Sequence, residues 1–450
     1  MPNRLLMSNT SSWLGQGLEH QKRGELQQAL ACYAQLLRAD PQHAPAWQLV
    51  AMVRAKLGAW EESLFAAEQA LRYAPDDALS WRSAAQALYR LGRLPQALHA
   101  YDRVLAATPQ DAGAWHGSSV ILLRTGRAID AQQRATRAVA LSPDNAKYVE
   151  HERHCSIAAV PDWHFNMMND EARNRSFARA IDRSVQPGMT VLEIGTGSGL
   201  LSLLAARGRE GVGGAQRVVT CEANPVIAAA AQRIIAQNGW SDRITVIAKP
   251  SHELQVGVDL AEPADLLISE TFSVQVVVEG ALSTFEDAKA RLLKPGAPIL
   301  PARALVRGAL VGGEGLAQSA RVGNVLGFDL SPFNEFTPRQ QYVSAGQPLR
   351  WLSDPATLLR FDLQNDAHFP PARQELAVTA TEPGLCQGVL QWLRLEHDDE
   401  NAYEVLPGAT SSDGGARHWT PVWYPFPTPL MVEPGQPVAL RVSHNRTGLS

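Results

Sequence analysis

Four tryptophans, Trp13, Trp47, Trp81 and Trp115, stand 34 residues apart. Gly24, Gly58, Gly92 and Gly126 keep the same interval, and so do Pro41, Pro75, Pro109 and Pro143. Three residue types in phase through four cycles constrain the chain strongly. A unit this short cannot bury an apolar face alone, so it must stack on its neighbours. The spacing predicts a helix–turn–helix in each unit. The Trp packs in the first helix, and the Gly makes the turn in "KRGEL", "KLGAW", "RLGRL" and "RTGRA". The second helix carries small and apolar residues such as Ala29, Tyr33, Ala97 and Tyr101. The Pro follows the helix end, where it cannot continue the hydrogen-bond ladder.

This pattern resembles tetratricopeptide repeats, covering roughly residues 9 to 146 within a first domain of residues 1–146. Arrays of that kind imply a concave surface for a peptide or protein. The alternative is a rigid spacer or a dimer contact. The whole chain has 450 residues, enough for two or three cores. With 45% apolar and 19% charged residues it is not a disordered chain, and a net charge of −4 does not suggest direct nucleic-acid binding. Cys32, Cys155, Cys221 and Cys386 are far apart and form no CxxC, so neither a metal site nor a disulfide framework is expected. That cysteine usage fits a reducing cytoplasm. The N-terminal apolar run is too short for a signal peptide, and no run reaches the ~18 apolar residues of a membrane span.

After a stretch around residues 147 to 160, read as a linker, the pattern changes to strand–helix alternation. "MTVLEIGTGSGLLSLLAARG" places a strand at Thr190 to Ile194, then Gly195, Gly197 and Gly199, then an apolar helix. Glycines there let the backbone approach a ligand closely. A second strand, "RVVTCEAN", ends in Glu222, 27 residues after Gly195, where a carboxylate can accept both ribose hydroxyls. The alternation implies a parallel, doubly wound sheet with its ligand at the carboxyl ends of the strands. It resembles the class I S-adenosylmethionine-dependent methyltransferases and fits a Rossmann-like domain over residues 147–300. Upstream, in "WHFNMMNDEARNRSFARAI", His164, Met167, Asp170 and Arg173 share one face of a short helix expected to cover the cofactor. Arg173 presents a planar fork suited to a carboxylate.

The segment "ISETFSVQVVVEGAL" sets Glu270 and Glu279 nine residues apart among apolar neighbours. Buried carboxylates need a cation or hydrogen bonds. Two facing carboxylates suit a guanidinium, which presents several N–H donors in one plane. "SE" after the fourth strand, the second Glu and "EGAL" are similar to the double-E loop of protein arginine N-methyltransferases. "HFNMMNDEARN" and "RHWTP" are similar to that family's cofactor-covering helix and Thr-His-Trp loop, with Arg417 in place of the Thr. The likeness runs from about Trp163 to the C-terminus, and the layout is closest to the subgroup with N-terminal tetratricopeptide repeats. The resemblance implies S-adenosyl-L-methionine as cofactor. His164, Met167, Arg173, Gly195, Gly197, Gly199 and Glu222 would hold it, with His252 and Glu253 both candidates for the adenine. Glu270 and Glu279 would hold the substrate guanidinium, and His418 and Trp419 would close the substrate side.

From "PGAPILPARALVRGALVGG" onward strand-like runs dominate. Residues 301–450 therefore read as an antiparallel, barrel-like β domain. By resemblance "VGNVLGFDLSPFNEFTPRQQY" would be a dimerisation arm, making a homodimer the expected assembly. The leading expectation is methylation of arginine in a protein or peptide, recruited by the repeats. The alternatives are a small guanidine- or amine-bearing substrate, or a repeat scaffold whose methyltransferase domain is inactive.

Overall fold

The computed structural model describes residues 2–343, 347–405 and 419–449; the side chains of residues 2–11, 279 and 317 lie outside that description. The chain divides into two compact units, residues 1–161 and 162–450.

The first unit is helical. Its helices are α1 (Pro2–Lys22), α2 (Leu26–Ala39), α3 (Ala44–Lys56), α4 (Trp60–Tyr73), α5 (Ala78–Arg90), α6 (Leu94–Ala107), α7 (Ala112–Arg124), α8 (Ala128–Leu141) and α9 (Ala146–Ala159). The first eight form the four expected pairs. Gly24, Gly58, Gly92 and Gly126 turn each pair with φ of 75–76°, a region that other residues enter only at a cost. Two of the periods are parts of one bond. The indole N–H of Trp47 donates to the Pro41 carbonyl at 2.8 Å, Trp81 to Pro75 at 2.7 Å and Trp115 to Pro109 at 2.9 Å. Each of these three tryptophans thus pins the loop before its own helix and stays half-buried, while Ala29, Tyr33, Ala97 and Tyr101 fill the core. The stretch read as a linker is instead helix α9. Asn145 caps it, and Cys155 and Ala159 bury one face, with Cys155 joining Leu122 and Ala131 in a small core.

The second unit begins with α10 (Trp163–Met168) and α11 (Glu171–Ser184). Five parallel strands follow: β1 (Thr190–Ile194), β2 (Arg217–Cys221), β3 (Ile244–Ile247), β4 (Leu266–Ser269) and β5 (Ile299–Leu300), in the order β3-β2-β1-β4-β5. Helices α12 (Leu200–Arg207), α13 (Pro225–Gln237) and α14 (Ala281–Arg291) make the crossovers. The order reverses between β1 and β4, and in open parallel sheets the crevice at that reversal, at the strands' carboxyl ends, is where ligands bind.

An antiparallel sheet follows, as expected. Its strands run β6 (Arg303–Gly312), β9 (Gln341–Tyr342), β10 (Arg350–Trp351), β13 (Gly384–Glu396) and β15 (Val422–Val432), ordered β10-β6-β13-β15-β9. On it, β11 (Ala356–Asp362) pairs with β6 and β14 (Ala402–Glu404) with β13. A separate ribbon joins β12 (Ala372–Thr379) to β16 (Pro437–His444). Between β6 and β9 the chain runs out through α15 (Glu314–Ala320) and a hairpin of β7 (Asn324–Val325) and β8 (Phe328–Asp329). One hydrophobic core, from Phe177 through Leu192 and Leu267 to Leu393 and Leu440, spans both sheets.

Candidate active site

Three segments meet at the crevice: the glycine turn after β1, the strand end of β2 and the loop after β4. Gly195, Gly197 and Gly199 have φ of 86°, 52° and 80°. A Cβ on Gly195 would lie 2.7 Å from Thr271 Cγ2, so only glycine allows the β1 turn and the β4 loop to come this close. The Gly197 N–H donates to Glu222 Oε2 at 3.1 Å, and the Asn224 N–H donates to Oε1 at 2.9 Å. The glycine turn and the acid that ends β2 are therefore one structure.

Beneath the turn lies a group that the sequence reading passed over. Glu193, on β1, is 1% exposed and accepts hydrogen bonds from Ser202 and from Thr220, the latter at 3.0 Å. Thr220 in turn meets Thr196 at 2.6 Å. Burial pushes the Glu193 carboxyl up to about 7, against the pull of its hydroxyl donors and of Arg173. The available signal was a charged residue in the middle of an otherwise apolar strand.

Helix α10 covers the turn. The Met167 methyl lies 3.7 Å from where a Gly197 Cβ would stand, and His164 is buried with its ring stacked on Trp163 at 3.9 Å. His164, Met167, Asp170 and Arg173 all face inward, but not from one helix. The helix breaks at Asn169, and Asp170 becomes the N-cap of α11, accepting the Arg173 N–H at 3.0 Å. Its other oxygen takes the Tyr403 hydroxyl, which ties this corner to the antiparallel sheet.

Arg173 is the central cation. Its guanidinium pairs with Glu270, both side chains being 4% exposed, and lies 5.1 Å from the Phe177 ring centroid. Burial lowers its pKa to about 10, while Asp170, Glu193 and Tyr403 oppose that shift. Its Nε is buried with no hydrogen-bond partner among the described residues, a donor left over for an anionic ligand group. That donor, the glycine turn and the Glu222 carboxylate fit the amino-acid and ribose parts of S-adenosylmethionine. His252 and Glu253 occupy a 3-10 turn after β3, side chains exposed, with Arg291 donating to the His252 carbonyl and to that of Leu254 just beyond the turn.

The loop from Glu270 to Gly280 is braced from the β domain. The Trp419 indole, 6% exposed, donates to the Phe272 carbonyl at 2.9 Å. Gln391 donates to the Val274 carbonyl at 2.6 Å, and Gln275 donates to the Tyr424 hydroxyl and to Gln340 at 2.8 Å each. Val276, fully buried, has φ of 65°, a region that a β-branched residue enters only under strain, so these bonds over-determine the loop. Glu279 sits in a 3-10 turn, Val278–Gly280, at the start of α14, its side chain outside the described residues. His418 also lies outside them. The structure thus brings together Met167, Arg173, Gly195, Gly197, Glu222 and Glu270, and it shows Trp419 as a brace behind the loop.

Residues 176–297 match the family profile described as ribosomal protein L11 methyltransferase (PrmA). Residues 14–78, 51–112 and 82–146 match a tetratricopeptide repeat profile. The chain is 38% identical over 285 residues to an "Arginine N(omega)-methyltransferase" of Streptomyces achromogenes subsp. streptozoticus, covering 63% of this chain and 76% of that one. It is 31% identical over 319 residues to a protein arginine N-methyltransferase 7 of Oryza sativa subsp. indica, covering 64% of this chain and 44% of the relative. It therefore spans less than half the length of that plant relative. Its fold is like that of a chain in the Trypanosoma brucei PRMT1 enzyme–prozyme heterotetrameric complex with AdoHcy, at a TM-score of 0.53 and 23% identity over 63% of this chain and 89% of that one.

Proposed function

Because this chain belongs to the arginine N-methyltransferase family, we propose that it transfers a methyl group from S-adenosylmethionine to a guanidinium nitrogen of arginine, with Glu270 and Glu279 holding the acceptor. The observation that supports this most directly is the Arg173–Glu270 pair: the carboxylate after β4 already holds a buried guanidinium, the same chemical group an arginine substrate presents.

The cofactor, when bound, supplies an electrophilic methyl on a sulfonium. Glu222 would hold its ribose, and Arg173 would turn its fork to the amino-acid carboxylate. That releases one Glu270 oxygen for the acceptor. Two carboxylates on two guanidinium nitrogens draw positive charge toward those nitrogens and leave the third better able to attack. Orientation is the larger effect, contributing up to about 7–11 kcal/mol when two reactants are aligned. The acceptor nitrogen would take the methyl as the carbon–sulfur bond breaks, leaving a neutral thioether, and would lose one N–H proton to water, so that the product is a methylguanidinium with the same single positive charge. Trp419 and Gln391 hold the loop still throughout.

A tritiated-cofactor assay on an arginine peptide, a matched lysine peptide and free arginine tests the reading. Label on lysine but not on arginine would overturn it, since a compact ammonium cannot span two carboxylates. Free arginine as acceptor is a second reading that one observation favours: the Streptomyces relative, covered over 76% of its length, carries a name that specifies arginine without "protein".

For assembly, we place a homodimer contact on the excursion between β6 and β9. Leu326 is 94% exposed at φ 52° in the β7–β8 hairpin, and Phe328, Phe333 and Phe336 beside it are exposed as well. An apolar residue both strained and solvated is one a partner surface would cover. A reducing, cytoplasmic setting is supported by the four cysteines, all free. No helix among the described residues is long and apolar enough to cross a membrane.

A further inference from the structure

The repeats carry a fourth period. Lys22, Lys56, Arg90 and Arg124 stand 34 residues apart, each in the last turn of the first helix of its repeat. Helices α3, α5, α7 and α9 line a concave groove of about 1000 Å³ whose wall includes Lys56, Arg90, Tyr89, His116 and Lys147. The Arg90 guanidinium lies 5.3 Å from the Trp60 ring centroid, and that of Arg124 lies 5.3 Å from the centroid of Tyr89. Each ring fixes a cation while leaving its N–H edge for a ligand.

Several cations of the array are paired: Arg93 with Glu61, Arg103 with Asp76 and Arg134 with Asp102. Lys56, Arg90, Arg124 and Lys147 make no ion pair among the described residues, a state they share with Arg38, Arg54, Arg72, Arg137 and Arg153. What distinguishes them is place: Lys56, Arg90 and Lys147 stand on the groove wall and Arg124 against its Tyr89. The groove wall has one described acid, Glu150. Residues 1–161 carry 17 Lys and Arg against 14 Asp and Glu, in a chain that is acidic overall.

Complementing the helix C-terminal dipole would account for a cation in a last turn. It does not account for Lys147, which sits in the first turn of α9, where the dipole disfavours positive charge. At that end His116 is 9% exposed, and its Nδ1 is buried with no hydrogen-bond partner among the described residues. Its ring lies 4.7 Å from Tyr148 and 4.8 Å from His151. Burial, then His151 and Lys147, hold the His116 imidazole down to about 4, and burial with His154 and Lys147 holds His151 down too. A carboxylate arriving there would satisfy Nδ1 and favour the charged ring.

We propose that the groove binds an extended, acidic protein segment, its carboxylates laid along Lys56, Arg90 and Arg124 and ending at Lys147 and His116. Four lining helices, α3, α5, α7 and α9, spaced by about 10 Å span ~30 Å, room for roughly nine extended residues at ~3.3 Å each. The docked segment is then not the arginine-bearing stretch to be methylated, because a basic peptide would meet like charge along the row. Recruitment and methylation read two different parts of a substrate. The groove's chemistry stands independently of the methylation reading, since none of its residues belongs to the crevice of the second unit.

The test is fluorescence anisotropy on the full chain with labelled peptides of about nine residues alternating Glu and Ser, Gln and Ser, or Arg and Ser. The Glu peptide should bind at least about tenfold tighter than the Gln peptide and weaken as salt rises. The triple variant Lys56→Gln/Arg90→Gln/Arg124→Gln should lose about tenfold in affinity for it at unchanged helical circular dichroism. Should that variant not fold, Lys147→Glu, at an exposed position, should weaken the Glu peptide in the folded chain. Equal affinity for the Glu and Gln peptides, tighter binding of the Arg peptide, or undiminished binding by the folded variants would overturn the proposal. A single-stranded oligonucleotide that bound more tightly than the Glu peptide would overturn it as well.

Discussion

Glu270 and Arg173 form a pair in which each partner is proposed to have a second appointment, one with the substrate and one with the cofactor. Glu270→Gln and Glu279→Gln keep shape and remove one charge each. Each should lower kcat/KM by roughly 2–4 kcal/mol, the range for losing one partner of a desolvated charge pair. The cofactor readout separates the two. Glu270→Gln leaves the buried Arg173 fork without its internal anion, so calorimetry should show S-adenosylmethionine binding at least as tightly as before, while Glu279→Gln should leave that affinity unchanged. Undiminished arginine methylation in both variants would remove the carboxylates from the mechanism. His397 carries a pH prediction. It is 2% exposed against Phe177, with both ring nitrogens buried and without hydrogen-bond partners among the described residues. Burial holds it down to about 4, helped by Arg173 and Arg179 and opposed by Asp398. The folded pKa lies below the unfolded value of about 6.5, so the unfolded chain takes up the proton first. Stability is therefore full above that value and falls as pH drops toward 4. His397→Phe should flatten this fall, raising Tm more at pH 5 than at pH 8; an equal gain at both values would count against the neutral ring.

At the scale of elements, the crevice is a convergence of turns. Gly195→Ala should drive the β1 turn from the β4 loop, because Thr271 is β-branched and cannot swing its methyl aside. Both cofactor affinity and kcat should fall, and normal binding of S-adenosylmethionine in a folded Gly195→Ala chain would contradict the close approach. Trp419→Phe keeps a ring but strips the Phe272 carbonyl of its donor, at a cost of about 1–3 kcal/mol. Its signature should be a fall in kcat with cofactor affinity retained; an unchanged kcat would show that the loop needs no brace. These elements differ in how far the sequence exposed them. The repeat and the Rossmann-like alternation were legible because their signals are periodic, and Glu270 because a carboxylate among apolar residues has to be explained. The break at Asn169 was hidden because Asp170 fits both a continuous inward face and an N-cap. Glu193 was missed because its partners, Ser202 and Thr220, stand 9 and 27 residues away and only the fold brings them together. Trp419 resembled a substrate wall, and its bond runs across 147 residues to a backbone atom with no trace in sequence.

At the scale of the molecule, the second unit has its own core spanning two sheets, so a chain starting at residue 162 should fold and bind cofactor. If the array recruits substrate, this truncation should raise KM for a protein carrying an acidic segment and leave turnover of a short arginine peptide nearly unchanged. Equal loss with both would assign the array a structural part instead. Leu326→Ser with Phe328→Ser should shift the mass by light scattering from dimer to monomer if the hairpin is the contact, and an unaltered mass would exclude it. The bond from Trp47, Trp81 and Trp115 to the proline six residues before each has a further consequence for how such a chain can grow. Because the bond closes within one inter-repeat loop, each joint is checked locally, with no reference to how many units precede or follow. A tandem copy of residues 78–111 inserted after Asp111 would meet the same capping aspartate, the same proline and the same glycine turn on both sides. The array is in effect a ruler whose length is set by whole-unit duplication, and each added unit would bring one more arginine to the cationic row.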